Sequence, residues 1–371
     1  MVTRHRNVTV QFPAGGFTQK WIAGTPQTPI VQGASGTQQY ADCVDVTGSP
    51  GADHPLTIEK RLITYEPYNG YLPDASNTSR LWMSNWISTQ QMSSYGHLTL
   101  PAAPSFDAAS FLARVNPGAH QVETLENLVD VKDLPKLVKL AGDTILKRGA
   151  GAYLTWQFGW KPLISDVKKL LDFSARVDKK VRELHALYNN GGVHRRRTID
   201  KDTVANTTTS LVQSSGPANI TVRTARITKR VRWATTRFVP TSLPPKDETE
   251  YRRRAIQIVY GLDLAPATIW EALPWSWMVD WFSNVGNYLV AYNNVCPVRA
   301  TPPCLMTYTR TDASVTRTDT YTNVVGGTAT ALTESKLRSI WAPTLQASIP
   351  FLTGRQLSIL GALFIQRHRA F

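Results

Sequence analysis

Three cysteines in 371 residues, Cys43, Cys296 and Cys304, are too few for a disulfide framework, and an odd count suits a protein made in a reducing cytoplasm. Cys296 and Cys304 flank a Pro-rich turn and are close enough in sequence to pair, but reduced thiols are the expected state. No uninterrupted apolar run reaches the ~18 residues that a membrane-spanning helix needs, so no span is expected. The first residues, MVTRHRNVTV, lack the apolar centre of a signal peptide, and none is expected. Catalytic signatures are missing too. The seven histidines (His5, His54, His97, His120, His185, His194 and His368) are scattered, with no H-E-x-x-H and no zinc spacing. There is no G-x-S-x-G and no P-loop, and Gly149 with Gly151 has no third glycine to make a dinucleotide fingerprint. No enzyme activity, cofactor, metal or small-molecule ligand is therefore expected.

Acidic residues are in short supply as well. Lys and Arg number 41 against 27 Asp and Glu, a net charge of +14 with a pI near 9.8. Such a balance favours polyanionic partners, nucleic acid before membrane surfaces. The excess is local. Residues 1–118 carry seven basic and seven acidic side chains, whereas 193–254 carry 14 and five, a net +9. A charge confined in this way points to a binding face.

What the chain has in abundance is tryptophan, and its placement is ordered. In W-E-A-L-P-W-S-W-M-V-D-W-F-S-N-V-G-N-Y (270–288), Trp270, Leu273, Trp277, Trp281 and Tyr288 recur at helical spacing, with Met278, Phe282 and Val285 beside them. Pro274 fits the first turn of the longer helix. Glu271 and Asp280 either face solvent or pair with a base. A second aromatic string, Y-L-T-W-Q-F-G-W-K-P-L-I-S-D (153–166), leads into the clearest helix of the chain, from Pro162 to the stop at Asn189-Asn190-Gly191-Gly192. Its apolar stripe runs through Leu163, Val167, Leu170, Val177, Val181, Leu184 and Tyr188, and Asp178 with Arg182 has the spacing of an exposed pair. Lys168, Lys169, Lys179 and Lys180 lie on the same rod, and they contact RNA only where the rod faces it.

Elsewhere the pattern is that of strands. V-T-V-Q-F, L-T-I-E-K-R-L-I-T-Y (56–65) and Y-G-H-L-T-L (95–100) alternate, with Asn69-Gly70 a plausible tight turn. Residues 193–260 read as extended and basic, with Arg223, Arg226, Lys229, Arg230, Arg232 and Arg237 among β-branched neighbours. The Thr-rich run 295–350 reads as exposed sheet. The expected class is α+β. Segments 1–118, 193–260 and 295–350 form an antiparallel β region, and 119–192, 261–294 and 351–371 form a helical bundle, each assembled from discontinuous pieces.

The two aromatic strings carry a resemblance. Trp156, Phe158, Gly159, Trp160, Pro162, Leu163, Ile164 and Asp166 in the first, and Trp270, Glu271, Pro274, Ser276, Asp280, Trp281, Phe282 and Gly286 in the second, resemble the maturation (A) proteins of the single-stranded RNA bacteriophages, the leviviruses. The resemblance implies an elongated protein, one per virion, made in the bacterial cytoplasm and set among coat protein dimers. It implies binding to hairpins near the 3′ end of the genomic RNA, attachment to a host pilus, and entry with the RNA. It also places the β end outward and the helical end toward the RNA. Some members cause host lysis, on which this sequence is silent. The RNA-binding candidates are Arg195, Arg196, Arg197, Arg252, Arg253, Arg254, Lys168, Lys169, Lys179, Lys180, Arg367 and Arg369. The candidates for receptor contact are Tyr65, Tyr68, Tyr71 and Tyr308, because tyrosine joins a large apolar area to a hydrogen-bonding tip. Two rival readings stand beside this one: a cellular RNA-binding protein, which would call for a self-contained RNA-binding module, and a carboxylate-dependent enzyme, which would call for a deep acidic cleft.

Overall fold

Strand-forming sequence dominates what the computed structural model describes, namely residues 2–33, 36–47, 54–74, 78–118, 173–260 and 297–344 with Ser283, Val285, Asn287, Leu289 and Ser358. The class is α+β and mostly antiparallel sheet. The chain divides into two units, each built from three segments. One holds Met1–Phe106, Thr198–Ala234 and Cys304–Ile340; the other holds Asp107–Arg197, Thr235–Pro303 and Trp341–Phe371.

The larger sheet has the order β1 (Val2–Gln11), β5 (Thr37–Thr47), β6 (Leu56–Tyr65), β14 (Ala329–Ile340), β12 (Cys304–Arg317), β10 (Ala218–Pro240) and β11 (Val298–Ala300), with β9 (Val193–Ser215) also paired to β10. The smaller sheet runs β13 (Val324–Val325), β7 (Tyr68–Pro73), β8 (Arg80–Trp86), β2 (Phe17–Ile22), β3 (Thr25–Pro26), with β4 (Ile30–Val31) on β2. Period-two alternation sets the inward side chains. On β10 the buried positions Ala218, Ile220, Val222, Thr224, Thr228, Arg232, Ala234, Thr236 and Phe238 are all even-numbered. The β9–β10 hairpin closes at Gly216 and Pro217, where Gly216 takes the positive φ of 58° that the turn requires.

In the first unit one core group joins Tyr68, Leu72, Leu81 and Met83 to Ala218, Ile220 and Val324. Another joins Phe12, Ile63, Ile87, Ala313 and Ala331. Met92 of α1 (Thr89–Met92) packs against the second group, and the first turn of α1 is closed by Ser88 and Gln91 bonding each other's backbone N–H. Gln91 is fully buried. Its amide Nε2 donates to the carbonyls of Glu66 (2.6 Å) and Thr328 (3.0 Å), tying α1 to the ends of two strands.

The stretch 95–100, expected as a strand, joins no ladder. It crosses the sheet, and side chains take the place of a neighbouring strand. Leu98 N–H donates to Thr228 Oγ1 (3.0 Å), and Thr333 Oγ1 donates to the Tyr95 carbonyl (2.8 Å). Thr228 is buried with Thr311 and Thr333, and the last two lie in the Thr-rich run 295–350 that was expected to be exposed sheet. Asn69-Gly70 is likewise not a turn between strands. It lies inside β7 at a register shift, and Gly70 (φ 123°) lets the Asn323 carbonyl approach to where a Cβ would stand, 2.0 Å away.

The second unit contains α2 (Ala108–Val115), α3 (Phe173–Asn189) and α4 (Glu248–Tyr260). Helix α2 falls in a region expected to be all β. It starts because the Asp107 carboxylate accepts the Ala109 N–H (2.9 Å) and because Ala108, Ala109, Phe111 and Leu112 share a buried face. Helix α4 corrects the β reading of 193–260 over its last part. Asp247 Oδ1 accepts the Glu250 N–H and Glu250 Oε2 accepts the Lys246 N–H, both at 2.8 Å, which starts a helix that buries Tyr251, Ala255, Ile258 and Val259. Helix α3 ends where expected, with Gly192 N–H on the Leu187 carbonyl and Gly191 and Gly192 at φ 57° and 139°. Helices α3 and α4 pack together, the His185 ring stacking on Tyr251 at 3.8 Å between centroids. A full bundle is not shown. Most of 119–172, 261–296 and 345–371 lies outside the described residues, although Val285, Asn287 and Leu289 are helical and Asn287 Nδ2 donates to Ser110 Oγ on α2 (2.8 Å).

Replacing Gln91 with Leu removes both carbonyl bonds while roughly keeping volume. The Glu66 and Thr328 carbonyls each keep one backbone donor, the Gly327 and Glu66 N–H, but the Ser88 N–H loses its Gln91 Oε1 acceptor, and unfolding free energy in urea should fall by about 1–3 kcal/mol. A loss below about 0.5 kcal/mol would show that α1 does not hold these strand ends.

Candidate nucleic-acid interface

Helix α3 sorts its own charges. Val177, Lys180, Val181, Leu184 and Leu187 recur at steps of three and four and are buried. Lys179 and Arg182 lie on the opposite, exposed ridge. Lys180, expected to reach RNA, is instead inside, only 4% exposed. Its ammonium donates to the Pro117 carbonyl (3.0 Å) and to Glu183 (2.9 Å), the pairing that a buried cation requires. Arg182 was missed by sequence reasoning, although its position three residues after Lys179 places it on the same face.

The two arginine triplets flank this ridge. With 3.6 residues per turn, Asp178 lies to one side of it and Glu183 to the other. Arg252 on α4 is 3.7 Å from Asp178, which takes the place of the expected Asp178–Arg182 pair. Arg195, at the start of β9, is 3.3 Å from Glu183. Both triplets thus have a member beside α3, but their members are not equivalent. Arg196, Arg197, Arg252 and Arg253 are exposed. Arg195 is half-buried on Glu183. Arg254 is tied into the α3–α4 contact through Tyr188 Oη (3.1 Å) and Glu250 (2.9 Å). The Lys246 N–H, with Arg254 behind it, holds the Glu250 carboxyl below its ordinary range.

Strand β10 divides its basic residues in the same way. Arg223 and Lys229 are exposed. Arg232 is 7% exposed, with Nε 2.7 Å from Asp200 and Nη2 2.6 Å from the Pro104 carbonyl. Arg230 repeats the arrangement with Asp202 and the Pro101 carbonyl. Arg226 lies over the Tyr95 ring and Arg237 donates to the Gly191 carbonyl. Half of this apparently basic strand is internal wiring, because even positions turn inward.

The tyrosines separate as well. Tyr68 is fully buried in the core, and burial pushes its phenol up to about 12, so it is no contact residue. Tyr65 is half-buried against Phe12, with ring centroids 5.2 Å apart. Tyr308 is half-buried, donating to Glu334 and lying beneath Lys336. Tyr71 is half-buried next to Trp82 (5.0 Å), with the Arg80 guanidinium 4.7 Å above its ring. Lys168, Lys169, Arg367, Arg369, Trp156, Phe158, Trp160, Pro162, Trp270, Glu271, Pro274, Asp280, Trp281 and Phe282 lie outside the described residues. Among the described residues no group of three His, Cys, Asp or Glu side chains is placed to hold a metal ion, and no helix is long and apolar enough to cross a membrane.

A family model described as phage maturation protein matches residues 105–320, more than half of the chain. No curated protein matches it.

Lys180→Met should lower stability by about 1–3 kcal/mol, because it strips a buried carbonyl of its partner. Lys179→Ser, one position away, should change stability by less than about 0.5 kcal/mol. Thermal unfolding of the two variants decides this; equal effects would contradict the inward placement of Lys180.

Proposed function

This chain belongs to the phage maturation protein family, and from that premise we propose that it is a single-copy virion protein that binds the genomic RNA, sits among coat protein dimers, attaches to a host pilus and enters with the RNA. The observation that carries the RNA part is the exposed ridge of α3, Lys179 and Arg182, bordered by Arg252 and Arg253 on one side and Arg196 and Arg197 near the other. Exposed cations gathered on adjoining elements neutralise phosphates and release counterions, so affinity is bound to salt concentration. Structured RNA is distinguished by the shape of its stems and by its unpaired loops. The attachment part rests on the N-terminal segment of the first unit, Met1–Phe106, which carries six basic and six acidic side chains and so brings no net charge.

If about five phosphates are contacted, the slope of log K against log salt is about −3.5 to −4.5 on the homologous RNA. Converting Arg196, Arg197, Arg252 and Arg253 together to Ser should make that slope shallower by about 3 and leave the melting temperature nearly unchanged. Filter binding from low to moderate salt measures both. An unchanged slope in the quadruple variant would place the RNA site elsewhere, and a wild-type slope near zero would remove phosphate contact altogether.

A further inference from the structure

The smaller sheet presents a face that the core does not use. Leu72, Leu81, Met83 and Val324 point inward, so the alternate positions point outward. The strand registers assemble these into rows. Tyr71 pairs with Trp82, which pairs with Gln19. Arg80 stands opposite Trp21, which stands opposite Pro26. Phe17 stands opposite Val31 on the edge strand, and Val325 opposite Asn69 at the other edge. Each of these side chains is exposed or half-buried, and Val31 and Val325 are 64% and 61% exposed.

Four aromatic residues and two exposed valines on one pleated surface form a patch of the kind that marks an interaction site. Only one charge, Arg80, enters these rows, and its guanidinium is stacked on Tyr71. A phosphate-rich partner is disfavoured by that single cation. Trp, Tyr and Arg at the centre of a surface that is otherwise uncharged is the composition of protein–protein hot spots. Gln19 and Asn69, interspersed among the rings, suit the polar and apolar mosaic of a protein partner better than a lipid.

We propose that this outward face of the smaller sheet docks a protein, the subunit of the host filament, through an apolar surface that carries a carboxylate opposite Arg80. The proposal rests on the reading that the chain attaches the virion to such a filament. It replaces Tyr65, Tyr68 and Tyr308 as the contact set and keeps Tyr71.

The test uses intact virions and pili sheared from the strain that supports the phage. Virions carrying Val31→Ser with Arg80→Glu should lose at least about tenfold in pilus binding. RNA content and melting temperature should match wild type, because both side chains are exposed. Pilus binding within about twofold of wild type would overturn the assignment of this face while leaving attachment intact. Failure of wild-type virions to bind the pili at all would instead overturn the attachment reading. Two controls also count against the proposal: equal loss of binding to vesicles of phosphatidylethanolamine and phosphatidylglycerol would make the partner a lipid surface, and a wild-type protein that dimerises through this face in sedimentation would make it a second copy of the chain.

Discussion

Residues 88–106 tie the first unit together through hydrogen bonds to its buried polar groups, which must be paired once they leave water. Gln91 adds a second donor to the carbonyls of Glu66 and Thr328, which also accept the Gly327 and Glu66 N–H. Thr228 and Thr333 bond the crossing backbone at Leu98 and Tyr95. The carbonyls of Pro101 and Pro104 accept from Arg230 and Arg232, whose charges are met by Asp202 and Asp200. A threonine-bearing sheet face is thereby covered by a segment that makes no ladder of its own. Had that face been purely aliphatic, the crossing backbone would have had to find its bonds elsewhere.

The same requirement decides what becomes of the positive charge. A count of +9 over 193–254 suggests one broad basic surface. Burial divides it. Arg230, Arg232 and Arg254 are held by carboxylates and oxygen acceptors within the protein, and Lys180 follows the same pattern on α3. Besides Lys201, Arg223, Lys229 and Lys246, what remains exposed is a set on adjoining elements, Lys179 and Arg182 with Arg196, Arg197, Arg252 and Arg253. The loose surface pair Arg252–Asp178 contributes little to stability, as exposed pairs at that distance do, which leaves Arg252 available to a polyanion at small cost.

The two units differ in the character of their exposed surfaces. Cations gather around α3, and aromatic and aliphatic side chains gather on the smaller sheet. The family match over 105–320 includes all of α3, α4 and the β9–β10 hairpin, but it leaves out β1 to β8, the strands that carry most of the aromatic face.

Much of this was legible in the sequence, and for identifiable reasons. The strand at 56–65, the inward stripe Val177–Val181–Leu184 and the stop at Gly191-Gly192 depend on local periodicity and on glycine's access to positive φ, which a linear string records. The family resemblance rested on ordered aromatic strings, equally local. Tertiary structure decided the rest. Whether 95–100 pairs as a strand or crosses a sheet depends on threonines more than a hundred residues away, and whether Tyr68 is a contact or a core residue depends on Trp86 and Val324. Lys180 and Lys179 are the same amino acid one position apart. Their fates diverge because one faces Pro117 and Glu183 and the other faces water, and a partner's distance in space is not written in its distance along the chain.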